Sequence, residues 1–187
     1  MQYLKDTVRE KIYCAAIDEF KNYGYQDASI RNIANNAGIS LGNIYRYYQN
    51  KEALYIAVVQ PLMDGVNDFV ENKFFAKGAS LKEVAQSVVE FMAEHDDEIV
   101  ILRRGNTEHY KQFSEYLEKV TAKRISEDLH TGEEGSKFTN PKLASIIARA
   151  FLHCLFDIVY STKDSETRKI YVEEVMFFYF GQPDARL

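Results

Sequence analysis

The sequence predicts an all-α protein of about nine helices. Proline and glycine, the residues that most often interrupt helices, number only three and nine among 187 residues. Apolar residues recur at the three-to-four spacing of a helical face along most of the chain, and no stretch is confidently predicted as a strand. With 46% apolar side chains, the chain can bury the core of one or two domains.

The first helix is predicted over residues 8–23. Its inner positions fall on one face, and Glu19 is the only polar residue among them. Gly24 follows and suits the position just past a helix end.

Two short helices are predicted next, over residues 30–37 and 41–48. Ser29 and Ser40 precede them as N-cap residues, and Gly38 makes the turn between them.

The fourth helix is predicted to start at Lys51 after an Asn50 cap and to extend to about residue 75. Pro61 removes one of its backbone hydrogen bonds and is expected to bend it. A charged patch at 95–98 precedes a short apolar stretch at 99–102, and 131–136 is predicted as a loop. The remaining helices are predicted over 81–94, 108–130, 142–161 and 166–180.

Several classes of protein are disfavoured by what the sequence lacks. Cys14 and Cys154 are isolated, which indicates no disulfide framework. No apolar run was found to reach the ~18 residues of a membrane span, and no signal-peptide core is evident, so a cytoplasmic protein without a membrane partner is expected. Without a nucleophile–base arrangement, a phosphate loop or metal-ligand spacing, we expect no enzyme, no cofactor and no metal site.

The net charge of −5 is unevenly distributed. Residues 1–60 contain seven Lys/Arg and six Asp/Glu, a net +1, whereas the remainder contains 16 and 22, a net −6. The acidity therefore lies outside the N-terminal segment, although a charge of +1 would not by itself indicate a nucleic-acid partner.

The N-terminal segment carries the most specific motif. Residues 28–54 read ASIRNIANNAGISLGNIYRYYQNKEAL, which combines an I-A-x-x-A-G-I-S turn, a glycine two residues later, a tyrosine-rich tail and K-E-x-L. Over about residues 8–56 the chain resembles the DNA-binding head of the TetR family of transcriptional regulators. That resemblance implies a three-helix helix-turn-helix domain at 1–50 and a helical regulatory and dimerisation domain at 51–187.

The outer face of the third helix is the predicted recognition surface. Two short helices joined by a glycine turn bury one face and leave the other free to enter a major groove. Asn43 and Arg46 can read base edges, and Gly42 permits close approach to DNA at a cost of roughly 1 kcal/mol of helix stability. Family and chemistry together predict DNA contacts at Ser29, Arg31, Ser40, Leu41, Gly42, Asn43, Tyr45, Arg46, Tyr47 and Lys51.

A nearly neutral head makes few phosphate contacts, so useful affinity requires two heads on one protein. We therefore expect a homodimer on double-stranded DNA, with its heads ~34–36 Å apart or a multiple of that on a palindromic operator. The last two helices carry more apolar surface than one face can bury, although they also fit an internal core. The predicted interface residues are Phe151, Leu155, Ile158, Val159, Tyr171, Val175 and Phe178.

The TetR resemblance also implies a small-molecule effector site in the larger domain. The middle of the chain contains aromatic residues with a few polar groups, a combination that is typical of such pockets. Aromatic residues at helical spacing equally fit a core, and His153 and Asp157 can simply pair with each other. The predicted lining residues are Phe69, Phe91, His95, Leu102, Arg103, Asn106, His109, Tyr110, Phe113, Phe151 and Asp157.

Together these features predict a ligand-released homodimeric repressor. The alternative is a DNA-bound scaffold whose larger domain binds a protein partner, which would show a solid core and an exposed apolar patch instead of a closed cavity.

Overall fold

A computed structural model describes residues 2–74, 80–105, 107–128 and 141–181. Within those ranges it contains nine α-helices and no strand, which confirms the all-α prediction. The helices are α1 (Gln2–Asp27), α2 (Ile30–Asn36), α3 (Leu41–Tyr47), α4 (Lys51–Phe69), α5 (Leu81–Glu94), α6 (Asp96–Gly105), α7 (Glu108–Asp128), α8 (Pro141–Ser161) and α9 (Ser165–Phe180). Helix α4 continues into a π-helical segment, Val70–Phe74. The predicted loop at 131–136 lies outside the described residues.

Helix α6 corrects the sequence interpretation of residues 95–102. The expected charged patch is the helix's own first turn, which contains Asp96, Asp97 and Glu98. Carboxylates are favoured there because the first backbone N–H groups of a helix carry partial positive charge. Arg103 and Arg104 lie in the last turn, where cations are favoured for the complementary reason.

Helix α1 extends beyond its predicted end at residue 23 but bends there. Gly24 has φ 71° and ψ 177°, a conformation that side chains with a Cβ rarely adopt. A Cβ at this position would also lie 3.3 Å from the carbonyl oxygen of Arg104. Glycine is therefore required at this bend by both its backbone conformation and its close neighbour.

The helix N-termini are capped in different ways. The predicted cap at Asn50 is confirmed, because its Oδ1 accepts from the Ala53 N–H over 2.7 Å. Ser29 and Ser40 occupy N-cap positions, but their side chains make no capping hydrogen bond. Helix α5 begins with a reciprocal pair in which Glu83 accepts from the Ser80 N–H and Ser80 accepts from the Glu83 N–H.

The chain divides into two compact units. Unit 1 contains Met1–Asp64 and His95–Tyr110, and unit 2 contains Gly65–Glu94 and Lys111–Leu187. Packing thus joins α6 and the first part of α4 to the three N-terminal helices, whereas the functional boundary at residue 50 stays a prediction.

The core of unit 1 forms around aromatic side chains of α1 and α4. The Phe20 and Tyr55 rings meet edge to face with centroids 5.3 Å apart, and Tyr55 is 1% exposed. Helix α6 is fastened to α1 by an ion pair between Lys21 and Asp97 and by Arg104, whose guanidinium donates to the Lys21 carbonyl over 3.1 Å. The Asp97 carboxylate raises the pKa of the Lys21 ammonium.

The core of unit 2 forms between α5, α7, α8 and α9. Helix α5 buries Val84, Ala85, Val88 and Met92, and α9 buries Val172 and Met176. Ala122 and Ile125 of α7 form a buried cluster with Ala144 and Ala148 of α8.

Helix α8 corrects the expectation that no apolar run reaches the length of a membrane span. By length and composition alone, Lys142–Ser161 could cross a bilayer, with a mean hydropathy of 1.6. Here, however, the helix packs within unit 2, where Phe151 is buried and Arg149 makes two 2.9 Å hydrogen bonds to the Glu118 carboxylate. Core helices of globular proteins commonly pass the same compositional test.

Candidate nucleic-acid interface

The turn between α2 and α3 is held by backbone geometry. Gly38 has φ 68°, in the left-handed region that favours glycine. The Gly38 N–H donates to the Asn35 carbonyl over 3.1 Å, and the Ile39 N–H donates to the Ala34 carbonyl over 3.0 Å. These bonds satisfy carbonyls at the end of α2 and fix the direction in which α3 leaves the turn.

Helix α3 presents one face to the core and the other to solvent. Ile44, within the helix, and Tyr48, just past its end, are both buried. Gly42, Tyr45 and Arg46 are exposed. Leu41, Asn43 and Tyr47 are half-buried, so the predicted recognition face is fully open at three positions and partly open at these three.

Nothing in the part of the chain that the structure describes requires glycine at position 42. Its φ is not positive, and a Cβ built at this position would meet no heavy atom within 4 Å. Since glycine destabilises a helix relative to alanine, the residue type points to a requirement outside the protomer.

The start of α2 brings other predicted contact residues to the surface. Arg31 and Ser40 are exposed, and Ser29 is half-buried. The Ser29 N–H donates to Glu19 Oε1 over 2.9 Å. This N–H is thus satisfied inside the protein, while the Ser29 side chain makes no capping bond.

Lys51 is engaged within unit 1. Its Nζ donates to the Gln26 carbonyl over 2.9 Å and to the Ala28 carbonyl over 2.7 Å. The ammonium also lies 5.0 Å from the centroid of the Tyr25 ring, within the range of a cation–π interaction. A phosphate contact by Lys51 stays a prediction, although two backbone oxygens already hold its ammonium.

Sequence reasoning missed what Glu19 does, although the signal was visible. Glu19 was the one polar residue on the inner face of α1, and its side chain is only 3% exposed. Besides the Ser29 N–H, its Oε1 accepts from Asn32 Nδ2 over 3.1 Å. A carboxylate on an apolar helical face predicts specific hydrogen-bond donors nearby, because an unpaired buried charge is too costly.

The predicted interface residues of α8 and α9 fall into two groups. Phe151, Leu155 and Val159 are buried within the protomer, and Ile158 and Val175 are partly exposed. Tyr171 and Phe178 are 45% and 67% exposed. The structure adds other exposed apolar side chains on these two helices, which the sequence prediction omitted, namely Leu143, Ile146, Tyr160, Ile170 and Phe177.

The predicted effector-site residues divide between the two units, and Asn106 lies outside the described residues. In unit 1, Leu102 is buried in the core, and His109 Nε2 lies 3.9 Å from Glu52 Oε1. Unit 1 also contains His95, Arg103 and Tyr110 from this set.

In unit 2, the rings of Phe69 and Phe91 stack with centroids 4.6 Å apart, and Phe113 packs near Phe156. Phe151 is buried, and Asp157 Oδ2 lies 3.5 Å from His153 Nδ1, so these two residues pair as the simpler interpretation expected. A shared effector pocket formed by the whole set stays a prediction.

The N-terminal segment carries the match to a known family, and curated relatives match over longer stretches. Residues 12–58 match the model of the family described as bacterial regulatory proteins, tetR family. The HTH-type transcriptional regulator RutR of Escherichia coli (strain K12) is 33% identical over 91 residues, which are 46% of this chain and 42% of that protein. This match therefore spans about two fifths of the relative's length. The fatty acid metabolism regulator protein of Bacillus subtilis (strain 168) is 25% identical over 133 residues, 66% of this chain and 69% of that protein.

Solved structures are similar over nearly the whole chain. A TetR-like transcriptional regulator from Rhodococcus sp. RHA1 gives a TM-score of 0.65 at 17% identity and covers 91% of this chain and 93% of its own. The regulator FadR from Bacillus subtilis, solved in complex with stearoyl-CoA, gives 0.64 at 21% identity and covers 93% and 99%. At these identities the likeness demonstrates a common fold and nothing finer.

Proposed function

We propose that this member of the TetR family of bacterial regulatory proteins is a homodimeric repressor that a small molecule releases from a palindromic operator. The open face of α3 carries this proposal. Gly42, Tyr45 and Arg46 are exposed on it, while Ile44 and Tyr48 anchor the opposite side in the core. A short helix held in this way can enter a major groove without rearranging the head.

The contacts with DNA divide by chemistry. Arg46 and Asn43 read base edges from the recognition helix, and Gly42 lets its backbone approach the duplex. Phosphate contacts come from hydroxyls and a guanidinium around the two short helices and set the register of the head. This group consists of Ser29, Arg31, Ser40, Tyr45 and Tyr47, with Leu41 packing against the groove.

The dimer forms through α8 and α9. Their exposed aliphatic and aromatic side chains make an apolar surface that a monomer would leave in water. A two-fold interface covers the same patch on both protomers and places two heads on one DNA. The weak positive charge of each head makes this second head necessary for affinity at physiological salt.

The effector is a small molecule with an apolar body, and the protein acts in the cytoplasm, where such metabolites and the operator are both found. The resemblance in fold to a regulator solved with stearoyl-CoA supports long-chain acyl-CoA as the first class to test. The aromatic side chains of unit 2, including Phe69, Phe91 and Phe113, offer apolar surface for an acyl chain.

Selection of binding sites from random duplex DNA tests the central proposal. We expect a palindromic site, nanomolar binding at moderate salt, and loss of that binding in the Arg46→Ala and Tyr45→Ala variants. Lys163→Ala, which removes a charge from unit 2, is the matched control and should bind normally. Failure to select any site with a properly folded dimer would refute DNA recognition.

Titration of the DNA complex with stearoyl-CoA, using stearate and free CoA as controls, tests the effector class. Release at micromolar acyl-CoA supports the proposal. If neither these compounds nor a metabolite extract releases DNA, while a protein partner binds unit 2 on DNA, the chain is a scaffold instead.

A further inference from the structure

The peptide group between Ala28 and Ser29, immediately before α2, is held at both ends by oppositely charged side chains. Its N–H, on Ser29, donates to Glu19 Oε1 over 2.9 Å. Its carbonyl, on Ala28, accepts from Lys51 Nζ over 2.7 Å. Because a peptide group is a dipole with a positive N–H end and a negative carbonyl end, each charge lies at the end that attracts it.

The Glu19 side of this arrangement is buried. The side chain is 3% exposed, and its Oε1 also accepts from Asn32 Nδ2 over 3.1 Å, so one carboxylate holds two donors of the α2 segment. Hydrogen bonds to an ionised acceptor are roughly twice as strong as neutral ones. Glu19 therefore ties the middle of α1 to the first turn of α2.

The Lys51 side joins the end of α1 to the start of α4. As the first residue of α4, Lys51 lies where the helix dipole disfavours a cation. Its ammonium instead contacts the Gln26 and Ala28 carbonyls at the end of α1, where backbone carbonyls lack helical partners. The Tyr25 ring packs beside it, 5.0 Å from centroid to Nζ.

We propose that Glu19 and Lys51 are positioning residues of the DNA-binding head. By fixing the plane of the Ala28–Ser29 peptide, they orient the start of α2 so that Ser29 and Arg31 meet a DNA phosphate. This inference rests on the proposed DNA binding. It assigns Lys51 to holding the head together, in place of the phosphate contact implied by the family resemblance.

Substitution of Glu19 distinguishes a positioning role from a direct effect of its charge on DNA binding. Glu19→Gln removes a negative charge, which by charge alone would strengthen binding to DNA. Positioning predicts the opposite, a roughly tenfold weaker operator affinity, because the charge-assisted bonds to the head become ordinary ones. Glu10→Gln removes an exposed carboxylate of the same helix, 18 residues before Ala28 along the chain, and serves as the matched control.

Salt dependence separates positioning by Lys51 from a phosphate contact. Arg31→Met removes a proposed phosphate contact and should reduce the slope of log affinity against log salt by about 0.9 per head. Lys51→Met alone should weaken binding. Added to Arg31→Met, it should cause little further loss of slope, because Lys51 acts through the contact that Arg31→Met has already removed, whereas a phosphate contact of its own would lower the slope by about a further 0.9 per head. Lys51→Arg keeps the charge and the donors and should restore most of the affinity.

Hydrogen exchange of the Ser29 amide tests the same arrangement without DNA. Exchange should be roughly tenfold faster in both Glu19→Gln and Lys51→Met, since each loosens the same peptide. Val58→Ala, a core truncation in the same unit, should lower the melting temperature without this selective change. If wild-type protein bound no DNA, the proposed function would fail, yet the exchange data would still decide whether the two side chains hold this peptide.

Two results would overturn the proposal. One is tighter or unchanged DNA binding by Glu19→Gln together with normal Ser29 exchange. The other is a further loss of salt slope of about 0.9 per head when Lys51→Met is added to Arg31→Met. The variant that combines Glu19→Gln with Lys51→Met should lose less affinity than the two single fold-losses multiplied together, because both residues act on one peptide.

Discussion

Two glycines of the head, only four residues apart, have opposite reasons for being glycine. A Cβ at Gly38 or at Gly42 would meet nothing within 4 Å, so crowding explains neither residue. Gly38 has φ 68°, which a side chain with a Cβ disfavours, whereas Gly42 has ordinary helical geometry. The first glycine therefore serves the fold, and the second is available to serve binding.

Alanine at each position separates these roles. Gly42→Ala should raise the free energy of unfolding by up to about 1 kcal/mol, because alanine favours the helix. It should also weaken operator binding, because the added methyl group lies on the face that approaches DNA. Gly38→Ala should lower the free energy of unfolding by about 1–2 kcal/mol through its left-handed conformation. Urea unfolding and fluorescence anisotropy with labelled operator measure both quantities.

The pair contains its own control, since both substitutions add one methyl group to open space. A Gly42→Ala protein that is more stable and binds DNA normally would contradict a role in close approach. A Gly38→Ala protein of unchanged stability would contradict the conformational argument.

At the residue scale, the sequence could predict where residues lie better than it could predict their hydrogen-bond partners. The segment around Gly38 has a local pattern that specifies a turn, and the turn is found there. The acceptors of Lys51 are backbone carbonyls of Gln26 and Ala28, 25 and 23 residues away along the chain. Backbone oxygens leave no signature in a sequence, so only the fold identifies them.

Among the helices, α6 was the hardest to predict from sequence, and it contains a carboxyl group, Glu98, whose pKa is raised. Partial burial raises the pKa of Glu98, and the neighbouring Asp97 and Asp96 carboxylates raise it further. A carboxyl group whose pKa is higher in the folded state destabilises the fold once the pH exceeds that raised value. The penalty disappears below the pKa of the unfolded chain, because both states are then protonated.

Replacing Glu98 should therefore stabilise unit 1 in a pH-dependent way. Glu98→Gln keeps the shape of the side chain and removes its charge, so a modest gain in the free energy of unfolding is expected near pH 7.5. The gain should fall away as the pH is lowered and should vanish below the ordinary glutamate pKa of about 4.3, because the carboxyl is then protonated in both the folded and the unfolded chain. Urea unfolding at a series of pH values measures the difference. Glu10→Gln removes an exposed carboxylate of the same unit, and an equal gain there would mean that net charge alone is responsible.

Helix prediction succeeded where one face was apolar and failed where charge dominated. Helix α5 was predicted with the observed bounds, since its apolar residues repeat cleanly over 14 residues. Helix α6 is short and opens with three acidic residues, which in sequence resemble a solvated loop. The Ser80–Glu83 pair that begins α5 follows the S-x-x-E pattern of a capping box and could have been found from sequence.

At the scale of the whole molecule, the proposed function makes DNA binding and dimer formation depend on each other. Because one head with a net charge of +1 is expected to hold DNA weakly, operator affinity should report on association of the protomers. Sequence predicted the helices of this surface but mixed core and exposed positions. In a strongly apolar helix such as α8, periodicity alone cannot tell which of two covered faces meets a partner, whereas burial in the protomer separates Phe151 from Ile146.

Phe178, 67% exposed on α9, is the most informative position for testing the dimer. Phe178→Glu would place a charge in an apolar interface and remove a large aromatic contact. The dissociation constant of the dimer should therefore rise at least roughly a hundredfold. Sedimentation equilibrium measures this change directly, and the charged variant should stay folded because the side chain is exposed in the protomer. Operator affinity should fall as the dimer dissociates, and a high protein concentration should partly restore that affinity.

The control variant, Tyr116→Glu, changes an aromatic side chain of α7 that is 36% exposed and should leave the dimer intact. If Phe178→Glu remained fully dimeric, the proposed interface would be wrong and the two heads would be joined through another surface. The exposed apolar side chains of α9 would then be available to a different partner.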